Sequence, residues 1–296
     1  MSDEKKLTRR AIVIGAGVGA GATALAAVLG RHGPPEPAKL GTSLTAQRRA
    51  GELPVMDPLH PDWDRVEGIL VAMQAQQVAP PFLDEAALSE LEVRAAHDGT
   101  ELAFRLQWKD EDRDDLDGIA RFHDAVAIQI PAVTGETPSP ITMGTPGSPV
   151  HILQWRASWQ RDLGEKTGSK TLYPNLVRDI GPEELLGDVA AAPFEAGRAV
   201  GNPLSAAERV SPVEEIVAEG FGSATTLSVQ QARGAGVWDE GRWAVTIAFP
   251  MARGKSGAPI KPGSSWPLAF AVWLGSQKNR GSRKHFANWV SCEIEA

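Results

Sequence analysis

The amino-acid sequence predicts an all-β fold in which two β-sheets pack face to face as a sandwich. Short segments that alternate between apolar and polar residues recur along the chain, and Gly, Pro or Asp separates most of them. Extended helical periodicity is absent. Eight segments of this kind in one chain of 296 residues are typical of a β-sandwich.

The clearest predicted element is a β-hairpin near residue 100. Residues 91–96 and 102–108 alternate, and Asp98-Gly99 supplies the turn between them. All the predicted strands are short and rich in β-branched or aromatic residues: 91–96, 102–108, 125–130, 150–159, 225–232, 243–249, 268–273 and 289–295. Short helices are expected only near 84–91 and 182–186.

The first thirty residues have the pattern of an export signal. Lys5, Lys6 and the pair Arg9-Arg10 precede an uncharged stretch at 11–30, which is the order of a signal peptide. Adjacent arginines before a weakly hydrophobic, Gly-rich stretch are typical of twin-arginine signals. We therefore expect residues 1–26 to be a twin-arginine export signal and the mature protein to be periplasmic. The alternative is an uncleaved membrane anchor.

The rest of the sequence divides into a linker and one domain. Residues 27–62 are rich in proline and show no periodicity, which predicts an extended linker. Residues 63–296 contain all the predicted strands and are assigned to the β-sandwich domain. Residues 160–222 are a long polar insertion with weak patterning, and loops of this length usually serve a function or shield a site.

Composition excludes several kinds of site. The single cysteine, Cys292, rules out an internal disulfide, a four-cysteine zinc site and covalent haem through C-x-x-C-H. The net charge of −7 argues against nucleic acid as a partner. No sequence motif of a stand-alone enzyme is found. The acidic run at 110–115 lacks the pattern of a calcium loop and is interpreted as a solvated loop.

Two blocks carry a more specific pattern. The first joins the strand sequence HDAVAIQIP at 123–131 to Met143-Gly144, and the second joins LAFAVWLG at 268–275 to the basic motif RGSRK at 280–284. With Trp108-Lys109-Asp110, they resemble the haem b-binding γ subunit of the ethylbenzene dehydrogenase and dimethylsulfide dehydrogenase group, in the type II DMSO reductase family. In that group a similar strand precedes Met-Gly, and a strand ending in Trp precedes a Gly-rich basic motif.

The resemblance implies an immunoglobulin-like β-sandwich, related to carbohydrate-binding modules, that binds one non-covalent haem b. The family holds its haem iron between a methionine and a lysine, which map by motif position to Met143 and Lys284. A thioether raises the potential of haem iron, and a lysine ligates only as the neutral amine. His151 and His285 lie beside these motifs and are the alternative ligands.

Further contacts with the haem are expected from arginine and tryptophan side chains. Arg283 or Arg280 could pair with the haem propionates. Trp155, Trp273 and Trp289 could pack against the porphyrin, although the nine tryptophans of this chain are also suited to a β-sheet core.

The function implied by the resemblance is electron transfer without catalysis by this chain. Its partners would be a molybdopterin catalytic subunit, an iron–sulfur subunit and a periplasmic carrier such as soluble cytochrome c. The alternative is an exported, haem-free binding module for a carbohydrate or another small ligand, since the tryptophan content is compatible with both functions.

Overall fold

A computed structural model of the chain describes residues 38–133, 141–165, 172–175, 196–206 and 209–296. The predicted export signal at 1–26 and the predicted helix at 182–186 lie outside these ranges. Within them, no helix is long and apolar enough to cross a membrane.

The described residues are mainly β-strands joined by turns. The strands are β1 Lys39–Leu40, β2 Ser43–Arg48, β3 Gly68–Ala72, β4 Gln74–Ala75, β5 Glu90–His97, β6 Glu101–Lys109, β7 Ala125–Pro131, β8 Val150–Arg156, β9 Val213–Ala218, β10 Thr225–Thr226, β11 Arg233–Asp239, β12 Arg242–Pro250, β13 Ser265–Trp273, β14 His285–Phe286 and β15 Val290–Ile294. The helices are α1 Ala157–Gly164 and α2 Ala196–Ala199, with short 3-10 turns at Pro61–Arg65, Pro203–Ser205, Gly254–Ser256 and Gly275–Gln277.

The strands form two sheets that share β13. The first sheet has the order β15-β2-β5-β6-β12-β11, and the second has the order β10-β9-β8-β7-β13 with β14 and β4 beyond β13. Residues 265–268 of β13 pair with β15, whereas residues 269–273 pair with β7. The chain therefore passes from one sheet to the other within a single strand, and the predicted all-β sandwich is confirmed.

The core between the sheets contains a cluster of three tryptophans. Trp155 of the second sheet meets Trp108 and Trp243 of the first, with ring centroids 6.4 and 5.0 Å away. Trp108 and Trp155 are at most 1% exposed. Buried aromatic pairs at these distances stabilise the packing beyond the burial of their area. Much of the tryptophan content thus serves the core.

Several segments differ from the sequence prediction. β1 and β2 lie within the predicted linker 27–62, and Leu44 and Ala46 of β2 are buried because that strand fills the gap between β15 and β5. The sandwich therefore begins before residue 63. Residues 84–89 form bends, not a helix, and lead directly into β5.

The other differences concern strand boundaries. β9 lies inside the predicted insertion 160–222, where its Val-Glu-Glu-Ile-Val-Ala sequence pairs with β8 along six residues. The predicted strand 150–159 ends at Arg156, where α1 begins. The predicted strand 225–232 is reduced to β10, and β11 follows it.

The acidic run at 110–115 is partly buried, which differs from the expected solvated loop. Asp110 and Asp115 are 6% and 8% exposed. Asp115 forms ion pairs with Arg113 and Arg161, at 2.9 and 3.2 Å. The run therefore helps to close one end of the sandwich.

Candidate functional site

The second sheet has two apolar faces, and the outer one lines a cavity. In β7, Val126, Ile128 and Ile130 point into the core between the sheets, whereas Ala125 and Ala127 belong to a separate apolar cluster on the opposite face. This follows from the alternation of side chains along a strand. The space above that face, here called the outer cavity, has a volume of about 680 Å³.

The floor of the outer cavity is made largely of small side chains. Ala271 pairs with Ala127 across β13 and β7, and Ala269 pairs with Gln129 two residues further along. Ile152 and Ile216 continue the floor on β8 and β9. Because alanine side chains rise little above a sheet, they leave room for a bulky apolar ligand.

Met143 lies at one end of the cavity and packs against this floor. Its carbonyl oxygen accepts a hydrogen bond of 2.6 Å from the Gly220 amide. Gly144 has a φ of +73°, and a Cβ atom there would lie 2.6 Å from the Ala218 carbonyl oxygen. Only glycine suits this position. The Met-Gly pair is therefore held against the end of β9.

A hydrogen bond also ties the methionine loop to the cavity floor. The Gln129 side-chain amide donates to the Thr142 carbonyl oxygen at 3.1 Å. Since Gln129 is an outward-facing residue of β7, this contact places the backbone beside Met143 directly above the sheet.

Lys284 lies at the other end of the cavity, immediately before β14. Its ammonium nitrogen stands 5.1 Å from the centroid of the Trp273 ring. Within the described part of the chain, this nitrogen has no hydrogen bond or ion pair. Burial lowers the pKa of Lys284 to about 8. A lysine without a counter-ion in an apolar cavity is thus readily converted to the neutral amine.

Gln76 holds the lysine loop in place. Its backbone amide donates to the Lys284 carbonyl oxygen at 3.0 Å, and its side-chain amide donates to the Ser282 carbonyl oxygen at 2.7 Å. The Trp273 indole N–H donates to the Gly281 carbonyl oxygen at 2.9 Å. Three hydrogen bonds to consecutive parts of this loop fix the direction from which Lys284 enters the cavity.

Met143 and Lys284 approach each other from opposite ends of the sheet. Met143 lies above Gln129 of β7, whereas Lys284 lies beside Trp273, which pairs with Ala125 of β7. Gln129 and Ala125 are four residues apart along β7, which is about 13 Å at the rise of a β-strand. Methionine and lysine both have long side chains, and both line the same cavity, so one bulky ligand that fills it can contact both.

The other predicted contacts divide between the cavity and the core. Trp273 lines the cavity, and so does Arg280. Trp155 does not, because its position in β8 turns it into the core, where it packs against Trp108 and Trp243. Arg283 and Trp289 are not part of the cavity lining either. Of the two arginines predicted to pair with the propionates, Arg280 lines the cavity and Arg283 does not.

Both alternative histidine ligands face away from the outer cavity. Nε2 of His285 accepts hydrogen bonds from the backbone amides of Ala87 and Leu88, at 3.0 and 3.2 Å. Nε2 of His151 lies 2.9 Å from a carboxylate oxygen of Glu215, between the sheets. Burial lowers the pKa of both histidines. The Nε2 atom of each ring is therefore used in a structural contact.

Three further residues line the cavity although the sequence did not predict them there: Gln76, Gln129 and Arg121. Gln129 could have been found, because it is the polar residue on the same face of β7 as Ala125 and Ala127. Gln76 is far from both motifs in the sequence, and only the pairing of β4 with β14 brings it there.

Among the described residues, no group of three or more His, Cys, Asp or Glu side chains could hold a metal ion.

Comparison with known proteins gives matches of two kinds. A model of the ethylbenzene dehydrogenase family matches residues 60–175, which include Met143. A protein proposed to be the heme subunit of a respiratory nitrate reductase of Haloferax mediterranei is 25% identical over 261 residues, which are 84% of this chain and 75% of that protein.

Among solved structures, a family 9 carbohydrate-binding module from Caldicellulosiruptor kristjanssonii in complex with glucose matches with a TM-score of 0.38 and 9% identity, over 86% of this chain and 96% of that chain. A candidate carbohydrate-binding protein from Bacteroides uniformis matches with a TM-score of 0.42 and 10% identity, over 86% and 100% of the two chains. The family model and the Haloferax relative together confirm the resemblance of this chain to the ethylbenzene dehydrogenase group.

Proposed function

We propose that this chain is a haem b electron-transfer subunit of a periplasmic molybdopterin oxidoreductase complex, with no catalytic role of its own. One observation carries the proposal: a methionine and a lysine, the latter with no counter-ion among the described residues, line the same cavity from opposite ends. These are the two residues that the family resemblance assigns to the haem iron.

The residues of the outer cavity fit a haem. A thioether and a neutral amine are both competent ligands for haem iron, and the lowered pKa of Lys284 reduces the cost of deprotonating it. A volume of about 680 Å³ is within the range typical of cofactor sites. Haem bound there would supply a one-electron redox centre.

The protein residues would hold and shield that centre. The alanine and isoleucine floor would place apolar surface against a bound redox group, which favours its less charged state. The hydrogen bonds of Gln76, Gln129 and Trp273 keep the two ligand loops in position. If Met143 and Lys284 both held the haem iron, the iron would not be available to a substrate, which fits electron transfer alone.

The partners and the location follow from the resemblance and the signal sequence. The relative in Haloferax mediterranei is described as a heme subunit of a respiratory reductase, which supports a role within a larger complex. A molybdopterin subunit would carry out the chemistry, an iron–sulfur subunit would relay electrons, and a soluble cytochrome c or a similar carrier would exchange them with this haem. Arg9-Arg10 supports folded export to the periplasm.

The alternative of a haem-free carbohydrate-binding module is less well supported. Sugar recognition on a sheet requires an aromatic ring with a free face. One face of Trp273 lies under the Lys284 side chain, and its indole N–H is used by Gly281. The position of Trp273 in the described cavity therefore suits contact with Lys284 better than stacking against a sugar ring.

The proposal is tested by purifying the full-length protein from the periplasmic fraction and recording its absorption spectrum. We expect one haem per chain, a low-spin Soret spectrum, and a haem that acidified acetone extracts. A colourless protein that binds soluble sugars would overturn the proposal in favour of the binding module. Pigment that stays with the polypeptide after extraction would contradict non-covalent haem b.

A further inference from the structure

The outer cavity is charged at its lysine end. Two loops border this end: residues 117–124, which precede β7, and residues 275–284, which follow β13. We call them the rim loops. Each contributes one exposed arginine to the cavity lining, Arg121 from the first and Arg280 from the second.

The rim loops are joined to each other by a hydrogen bond and by a close backbone contact. A carboxylate oxygen of Asp124 accepts a hydrogen bond of 2.8 Å from the Gly275 amide. Gly275 also packs directly on the first loop, because a Cβ atom there would lie 2.1 Å from the Phe122 carbonyl oxygen. The two loops that carry Arg121 and Arg280 are thus joined to each other.

The two arginines have free hydrogen-bonding capacity. In the described ranges, neither guanidinium group forms an ion pair or a side-chain hydrogen bond. This distinguishes them from Arg156, which also lines the cavity but pairs with the buried carboxylate of Glu214. A guanidinium group with five free N–H donors at the mouth of a cavity is suited to bind a carboxylate in a bidentate manner.

We infer that Arg121 and Arg280 form an anion-binding rim that binds the carboxylate groups of the cofactor in the outer cavity. The inference rests on the proposed function and makes it more specific, since haem b carries two propionate groups. It assigns this role to Arg280 and Arg121 in place of Arg283, which does not line the cavity.

The rim also determines the orientation of the cofactor. The opposite end of the cavity is lined by apolar residues such as Ile152, Ile216 and Met143. A ligand with two carboxylates along one edge would lose hydrogen bonds if that edge faced this end. The cofactor should therefore bind in a single orientation, with its carboxylates at the rim loops.

The inference is tested by titrating the haem-free, full-length protein with haem b and with its dimethyl ester, in which both carboxylates are neutral. The variants are Arg121→Gln, Arg280→Gln and the double variant. Arg242→Gln is the matched control, because Arg242 is an exposed arginine on β12 of the other sheet. The readout is the dissociation constant from the Soret band.

We expect the wild type and Arg242→Gln to bind haem b at least about tenfold more tightly than the ester. Each single variant should reduce this preference, and the double variant should bind both porphyrins equally. The proposed anion-binding rim is wrong if the double variant still prefers haem b over the ester as strongly as the wild type does. It is also wrong if the wild type binds both porphyrins equally. A wild type that binds neither porphyrin overturns the proposed function and the rim with it.

Discussion

The inner and outer faces of the second sheet are built from the same strands but serve different purposes. On the inner face of β7 and β8, large side chains such as Ile128 and Trp155 interlock with the first sheet and are almost completely buried. On the outer face, one residue away along the chain, Ala127 and Gln129 leave a cavity open. The backbone and the strand pairing are identical for both faces.

The two faces of the second sheet therefore differ in the size of their side chains: large side chains fill the core on the inner face, and small ones leave the cavity open on the outer face. A strand with one face toward solvent usually alternates apolar with polar residues. Here the outer face of β7 carries the small apolar residues Ala125 and Ala127 beside one polar residue, Gln129. A sheet that is apolar on both sides and lacks a second layer on one of them has room for an apolar cofactor.

The largest effect on stability is expected from Trp155→Ala, which removes a large side chain from the inner face. Trp155 is fully buried and contacts two other tryptophans, so its removal should cost about 3–5 kcal/mol of unfolding free energy. Urea denaturation of the haem-free protein measures this loss. Gln154→Ala, one residue away on the outer face, is the control and should cost less than about 1 kcal/mol. Equal losses would show that the two faces do not differ as described.

The next largest effect is expected from removing the amine with Lys284→Ala. Because Lys284 is the only lysine among the described residues that line the cavity, haem binding should weaken about 100-fold and the low-spin spectrum should be lost. Absorption and electron paramagnetic resonance spectra measure the change. Lys261→Ala, an exposed lysine outside the cavity, is the matched control.

His285→Ala distinguishes this lysine from its neighbour. It should destabilise the fold by about 1–3 kcal/mol, since the backbone amides of Ala87 and Leu88 lose their acceptor. The spectrum of the folded fraction should remain low-spin. A low-spin spectrum that survives in Lys284→Ala and disappears in His285→Ala would make the histidine the ligand.

Much of the inner face could be predicted from the sequence. The hairpin of β5 and β6, and strands β7, β12, β13 and β15, were expected within three residues of their observed bounds, because their residues are β-branched or aromatic and alternate clearly. β9 was missed because its adjacent glutamates suggested a polar loop. In the structure, Glu214 and Glu215 are buried and paired with Arg156 and His151, which no local pattern reveals.

The outer site could be predicted only in part. Met143 and Lys284 came from the family motifs, and both line one cavity. The positions of Trp155 and Arg283 were not recoverable from the motifs, because one residue of shift along a strand or turn moves a side chain to the other face. Gln76 and Arg121 enter the site through strand pairing and loop packing between segments distant in sequence.

A smaller effect is expected from filling the outer cavity with Ala271→Leu. Ala271 lies on the floor between Ala127 and Phe286, and a leucine there should weaken haem binding about 30-fold by occupying cofactor space. The unfolding free energy of the haem-free protein should change by less than about 1 kcal/mol. Ala95→Leu, at a buried alanine of the core, is the control and should instead cost about 1–3 kcal/mol. Unchanged haem affinity in Ala271→Leu would place the cofactor elsewhere.

The smallest effect concerns Asp124, which connects the two faces. One of its carboxylate oxygens accepts a hydrogen bond from the Trp243 indole of the core, and the other accepts from Gly275 of the rim loops. Burial and the neighbouring carboxylate of Asp110 raise the pKa of Asp124 to about 8, and burial raises that of Asp110 to about 6. The folded pair therefore keeps protons that the unfolded chain releases near pH 4.

Because the folded-state pKa values are raised, the stability that this pair contributes is complete below about pH 4 and is lost progressively as the pH rises from there through the folded-state pKa values of about 6 and about 8. Asp110→Asn keeps the shape of the side chain, and its oxygen can still accept from the Asp112 amide, but it removes one of the two buried charges. The melting temperature of the haem-free protein should fall by about 2–4 °C for each 1 kcal/mol lost between pH 5 and pH 8. In Asp110→Asn the fall should be smaller, whereas Asp112→Asn, an exposed aspartate two residues away, should behave like the wild type.

If Asp110→Asn shows the same fall in melting temperature as the wild type, the two carboxylates are not coupled. The junction between the core and the rim loops would then be held by the N–H donors of Trp243 and Gly275 at every pH in this range.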